Sequence, residues 1–317
     1  MPTQKRSKPA FLETNVPKES WKLIDGFMES RKAEEEGFSA NTLAANEGDL
    51  LIFSKWLALR KTPLAAVRAC DIREYLKERL FNGTRPSSLK RHMASFRKFF
   101  EYLEKNELIE KDPTTGVTAP GKGRRRVPQF LTTKEIDALL RVPKRTSPIG
   151  FRNWLMFTML YRLGLRVGEL LAIRIDGSGL EQGTLHIGSG YTERELKLDK
   201  KLLDMLREYL FLFRPDILRE RESPFLFPTR RSERITRQMF FSTVRKYREK
   251  AGIERKISPF DLRHACAKRM REDGMSLYDL ERYLGYHEGS DAVKQLYGHI
   301  RPVRKIKPRP VLEKIVF

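Results

Sequence analysis

Three residues in the second half of the chain could together act on a phosphate: Arg166, Arg263 and Tyr297. Two guanidinium groups can grip one phosphate through paired hydrogen bonds and stabilise the charge that builds on it. A tyrosine hydroxyl could then attack the phosphorus, but a phenol ionises only near pH ~10 and needs positive surroundings or a base. Each residue also has a structural reading. Arg166 fits a helix-end cation, and Tyr297 fits a core aromatic with a satisfied hydroxyl. Spacing alone does not separate the two.

The elements around them say how they would be held. Arg166 follows a very apolar helix, Phe151 to Leu163, inside the glycine-flanked turn GLRVGEL of residues 164–170. Arg263 sits in the first turn of a helix opened by Ser258 as cap and Pro259 at the first helical position. Tyr297 lies in SLYDLERYLGYHEGSDAVKQLYGH, which reads as two short helices. Ser276 caps the first with Asp279 as acidic partner, Leu277, Leu280 and Leu284 share a face, and Gly285 ends it. Tyr286 and His287 fall in the turn, and Ser290 opens the second helix. This predicts an exposed tyrosine hydroxyl beside a histidine. Leu171–Ile175, Thr184–Ile187 and Glu193–Leu198 read as a small antiparallel sheet, and helices resume at Lys200–Phe213 and Thr236–Ala251. The first half is helical from Pro17. Its strongest stripe is Leu89, Met93, Phe96, Phe100 and Leu103, in a helix opened by Ser87 and backed by Lys90, Arg91, Arg97 and Lys98.

Charge narrows the partner. Of 317 residues, 63 are Lys or Arg against 41 Asp or Glu, a net of +22. Such a surface repels itself unless an anion covers it, so nucleic acid is the first candidate partner rather than a merely solvated basic face. The basic face around Lys90, Arg91 and Lys98 would meet phosphates, as would Arg124, Arg125 and Arg126 in the Pro/Gly-punctuated APGKGRRRVPQ. No apolar run approaches the ~20 residues of a membrane helix, and no secretory signal is visible. Cys70 and Cys266 stand far apart and the five histidines are scattered, so neither a disulfide framework nor a metal site is expected. A reducing cytoplasm fits.

With these motifs in view, the chain resembles the tyrosine recombinases, or phage-type integrases, in their Xer-like branch, from about Pro17 to His299. TLAANEGDLLIFSKWL, PLAAVRACDIREYL and SSLKRHMASFRKFFEYL are similar to the family's core-binding helices, and LTTKEIDALL to the start of its catalytic domain. LGLRVGELLAI resembles the first family box and assigns the first catalytic arginine to Arg166 with Glu169 as acidic neighbour. SPFDLRHACAKRM resembles the second and assigns the second arginine to Arg263. LERYLGYHEGSDAVKQLYGH assigns the nucleophile to Tyr297.

The resemblance implies a mainly α (α+β) fold. A helical SAM-like core-binding domain over 17–113 and a basic linker over 114–130 would precede a catalytic domain with a small antiparallel sheet over 131–300. A basic tail over 301–317 would follow, docking on a neighbour, and the chain would close on duplex DNA as a clamp. It implies cleavage and rejoining of DNA through a 3′-phosphotyrosine, no metal or other cofactor, and four protomers on two duplexes.

Departures from the family pattern fall at the chemistry. The sheet turn that usually carries a lysine, the acid for the leaving oxygen, reads GSGYTER with Ser189 in the expected place, and Arg194 or Lys197 are the nearby substitutes. The histidine three residues before the second arginine is Phe260. The later histidine is displaced, because Tyr286 follows Leu284-Gly285 directly and His287 comes one place on. His287 is therefore the expected catalytic histidine. These departures leave room for a non-cleaving repressor or accessory factor on the same fold, or for a topoisomerase-like nicking enzyme.

Overall fold

The computed structural model of the chain describes residues 16–33, 40–121, 129–177 and 179–303. Two compact units divide the chain, Met1–Arg125 and Arg126–Phe317. Arg124, Arg125 and Arg126 and the tail beyond residue 303 lie outside the described residues.

The first unit is helical. It comprises α1 (Lys18–Ala33), α2 (Ala40–Leu59), α3 (Ala69–Phe81) and α4 (Pro86–Lys105). The expected stripe of α4 is its buried face, where Phe96, Phe99 and Phe100 meet Phe27 of α1 and Phe53 of α2. Arg68 stands at the cap of α3, and the Asp71 carboxylate, three residues on, accepts from its backbone N–H at 2.8 Å. Inside the bundle, buried Asp49 accepts from the Ser95 hydroxyl at 2.9 Å and pairs with Arg91 at 2.7 Å.

The second unit is built on α6 (Pro148–Leu163), which follows α5 (Thr133–Arg141). Leu155, Met156, Phe157, Met159 and Leu160 of α6 are fully enclosed. Each contributes roughly 1.5–3 kcal/mol of burial, which makes α6 a rigid platform. After α7 (Val167–Ala172) comes a hairpin of β1 (Thr184–Ile187) and β2 (Arg194–Lys197), in register Ile187↔Arg194 and Thr184↔Lys197. The expected third strand, Leu171–Ile175, is absent. Leu171 and Ala172 complete α7, and the chain beyond pairs instead through Arg174 with Phe225, far along the sequence.

α8 (Lys200–Glu208) runs through a wider π turn at Tyr209–Phe213 into α9 (Arg214–Leu218). α10 (Arg237–Lys250), α11 (Pro259–Glu272), α12 (Leu277–Leu284) and α13 (Asp291–Tyr297) complete the unit, with α11 packed on α6.

Candidate active site

The first arginine is delivered by a tight stop. α6 ends at Gly164 with φ 63°, and a Cβ there would lie 2.9 Å from Leu284 Cδ2 and 3.2 Å from Cys266 Sγ. Only glycine suits both the left-handed backbone and that approach. Two residues on, Arg166 caps α7. Its backbone N–H donates to Glu169 Oε2 at 2.6 Å, and its Nη1 donates to Glu169 Oε1 at 2.8 Å. Arg263, in the first turns of α11 and 4% exposed, donates from Nη1 to the Gly164 carbonyl at 2.5 Å and from Nη2 to the Leu284 carbonyl at 2.8 Å. Its Nη1 stands 3.9 Å from Glu169 Oε2.

A third guanidinium joins them. Arg194 lies on the buried face of β2 and donates to Glu169 Oε1 at 2.9 Å and Oε2 at 3.0 Å. Its Nε donates to the Tyr283 carbonyl at 2.7 Å. The last carbonyls of α12 thus divide among the arginines: Tyr283 takes Arg194, Leu284 takes Arg263, and Gly285 takes Arg166. These carbonyls lack helical partners and carry the negative end of the helix dipole, so the helix end collects the cations. Gly285, φ 67°, has no room for a Cβ, which would fall 2.5 Å from Arg194 Nη1. Burial alone would raise the Glu169 carboxyl, but the hydrogen bonds and charges of Arg194 and Arg166 outweigh it and hold the group below the usual carboxylate range. Three cations around one carboxylate leave the cluster positive and suited to an anion.

Tyr297 closes α13 against this cluster. It is 0% exposed, not exposed as its helix position suggested, and its hydroxyl is 2.7 Å from His264 Nδ1. Burial pushes its phenol well above the ordinary tyrosine range. Tyr286 adds to that shift, and Arg263 opposes it. Burial also lowers the His264 imidazole, which keeps it neutral and able to accept a proton. The histidine on the tyrosine is therefore His264, beside Arg263. His287, the expected one, is exposed with Nδ1 2.9 Å from the Glu288 carbonyl. Tyr286 lies under the arginines, with Arg166 Cζ 5.5 Å and Arg263 Cζ 5.4 Å from its ring centroid. Both His264 and Tyr286 lie within the motifs that carried the resemblance. Only the facing of the α11 helix for His264, and the direction of the turn after Gly285 for Tyr286, distinguish them from their neighbours.

The other departures resolve individually. Phe260 is 49% exposed and rests on Phe241 of α10, ring centroids 6.0 Å apart. Ser189 is exposed in the hairpin turn. Arg194 has its donors committed to Glu169, Tyr283 and Thr192, so it organises the cluster rather than standing as a free acid. Lys197 is three residues along β2, where alternation turns it to the exposed face opposite Arg194. Arg237, first residue of α10, was not singled out by sequence. A Cβ on Gly168 would lie 2.6 Å from its Nη2, two residues beyond Arg166. In the first unit Lys90 is exposed, Lys98 half-buried, and Arg91 anchored on Asp49.

The family model of the phage integrase family matches residues 129–303, and that of the phage integrase N-terminal SAM-like domain matches residues 25–107. Tyrosine recombinase XerD of Proteus mirabilis is 34% identical over 284 residues, covering 89% of this chain and 90% of that protein. Among solved structures, XerH site-specific recombinase bound to palindromic difH substrate aligns with a TM-score of 0.66 at 21% identity, covering 87% of this chain and 80% of that one. A lambda integrase tetramer bound to a Holliday junction aligns at 0.65 and 18% identity, covering 95% and 84%. The chain belongs to the phage integrase family, the tyrosine recombinases. It is a site-specific DNA recombinase, an enzyme of strand breakage and rejoining, and no observation favours the non-cleaving binder.

Proposed function

We propose that Tyr297 is the nucleophile of this recombinase and that Arg166 and Arg263 hold the scissile phosphate. The observation that carries this is the meeting of both arginines on Glu169, beside a tyrosine whose hydroxyl faces a neutral histidine. With His264 as the Nε2–H tautomer, Nδ1 accepts the phenol proton as the tyrosine oxygen bonds to phosphorus. The bond from phosphorus to the 5′-oxygen breaks, and that oxygen takes up a proton. The products are a 3′-phosphotyrosine and a free 5′-hydroxyl, and a second strand's 5′-hydroxyl reverses the step. Glu169 and Arg194 position the arginines, and Arg237 is a further phosphate contact at the rim. Because Tyr297 is covered, DNA binding has to expose its hydroxyl before attack.

Residues 17–113 serve as the core-binding domain, with Lys90, Arg91 and Lys98 on phosphates, and 131–300 as the catalytic domain. The basic segment 114–130 crosses the duplex between them. Four protomers act on two duplexes, with tail 301–317 on a neighbour. A DNA substrate fits a cytoplasmic enzyme. A half-site carrying a nick beyond the cleaved bond tests the reading: wild type should accumulate a covalent adduct, and Tyr297→Phe should bind the DNA without forming one. An adduct that persists in Tyr297→Phe means another nucleophile.

A further inference from the structure

Tyr297 is held between two rings. His264 lies against it with centroids 5.8 Å apart, and Phe130 at 6.3 Å with the planes tilted by 35°. Phe130 also meets His299, two residues on, at 6.2 Å. A phenylalanine has no proton to move, so what it does to Tyr297 is cover it. Phe130 is half-buried and follows exposed Gln129, while Leu131 after it is buried. It therefore stands on the solvent side of a tyrosine that is itself 0% exposed. The segment that carries it is strapped down. Arg255 donates from Nη1 to the Gln129 carbonyl at 3.0 Å and from Nε to Glu135 Oε1 at 2.8 Å. The Glu135 carboxylate in turn accepts from the Thr132 backbone N–H at 2.8 Å and from its hydroxyl at 2.9 Å. The chain is thus pinned on both sides of Phe130.

We propose, on the reading that Tyr297 cleaves, that Phe130 is a positioning residue: its ring holds Tyr297 covered in the free protein and has to part from it before the tyrosine oxygen reaches phosphorus. The phenol must exchange a place closed to solvent for one that faces a phosphate gripped by Arg166 and Arg263. Tyr297 ends a helix of only seven residues, whereas His264 stands on α11, which packs on α6, so the tyrosine is the partner that moves. Its contact with Phe130 belongs to the ground state and is lost on the way to the transition state. An interaction made only in the ground state adds to the barrier, so removing it should speed the step. An aromatic pair is worth ~0.5–1.5 kcal/mol beyond its buried area, which at ~1.36 kcal/mol per tenfold is about 2- to 13-fold in rate. The same cover keeps the nucleophile away from any phosphate that the arginines have not seated.

Two readouts on the full-length protein test this. Tetranitromethane nitrates accessible phenol rings, and peptide-level mass spectrometry locates the product. In the free protein Tyr297 should be protected in wild type and nitrated several times faster in Phe130→Ala. Single-turnover adduct formation on the nicked half-site, at saturating DNA, should rise about 2- to 13-fold in Phe130→Ala, with DNA affinity unchanged. Phe130→Leu, which keeps the space largely filled without an aromatic ring, should shift both readouts by less, and it carries the test alone if the alanine variant does not fold. Arg255→Gln slackens the strap without touching the ring pair and should move both readouts in the same direction. A Phe130 that only packs would leave adduct formation at or below the wild-type rate when replaced. That result, or equal nitration of Tyr297 in wild type and variants, overturns the proposal. Failure of the underlying reading looks different: wild type then forms no adduct, or one that survives Tyr297→Phe, whatever stands at position 130.

Discussion

Glu169→Gln should weaken both the fold and the chemistry. The carboxylate is 9% exposed and takes four donors: the Arg166 backbone N–H and Nη1, and Arg194 Nη1 and Nη2, at 2.6, 2.8, 2.9 and 3.0 Å. Glutamine keeps the shape but turns one acceptor oxygen into a donor that faces two donors. Two charge-assisted bonds at ~1.5–3 kcal/mol each are lost, which agrees with the ~3–5 kcal/mol for breaking a buried ion pair from one side. For a unit of this size the midpoint of thermal unfolding should drop by roughly 6–20 °C. The pH dependence gives an independent sign. The folded Glu169 carboxyl lies below its unfolded value, so its stabilisation is complete above ~4.5 and is lost as pH falls through the folded value. Wild type should lose stability on that descent, and Glu169→Gln should lack that component. Differential scanning calorimetry from pH 7 to pH 3 reads both. An unfolding midpoint within ~2 °C of wild type at pH 7 would refute the claim that this carboxylate ties the arginines together.

Adduct formation should rise with pH with a midpoint below the ordinary imidazole value of ~6.5, because burial lowers His264 and only its neutral form accepts the proton. A midpoint above 7 in single-turnover rates would remove His264 as base. Lys90→Ala should weaken DNA binding and flatten the log–log salt slope by ~0.9, with no loss of folding stability. Arg91→Ala should do both, since it also strips buried Asp49 of its cation at a cost of about 1–3 kcal/mol, measured by urea unfolding. With Ser189 exposed and Arg194 committed, no free acid is evident for the leaving 5′-oxygen among these candidates. A substrate with sulfur bridging at that position should therefore be cleaved much faster than the oxygen substrate, and equal rates would mean that an acid is present.

Where local rules govern, the sequence was readable. The α4 stripe, the Ser258-Pro259 helix start and the Gly285 stop depend on periodicity, capping and backbone freedom within a few residues, and each stands where expected. Leu171–Ile175 was misread because its alternation of apolar residues suits a strand equally well, while its actual partner, Phe225, lies some fifty residues away. Tyr209–Phe213 passed for plain helix, since a π turn leaves no simple period. Within the site, Arg166, Glu169 and Arg263 meet through motifs that were legible as motifs. That Arg194 joins them follows from the parity of β2, which residue identity alone does not reveal.

The departures at Phe260 and His287 belong together once helix geometry is applied. Positions 260, 263 and 264 share one side of α11, because residues three and four apart are neighbours on a helix. His264 therefore stands one turn, about 6 Å, deeper along the face that begins at Phe260. A proton acceptor placed there can serve only a tyrosine that is itself buried, which is where Tyr297 lies. Phe260, relieved of proton transfer, packs on Phe241 at the rim. At the turn, Tyr286 fills the place directly after Leu284-Gly285 that the family's histidine takes, under the arginines, and His287 faces outward. The site keeps a proton acceptor beside its arginines, carried one helical turn from the position the family pattern names.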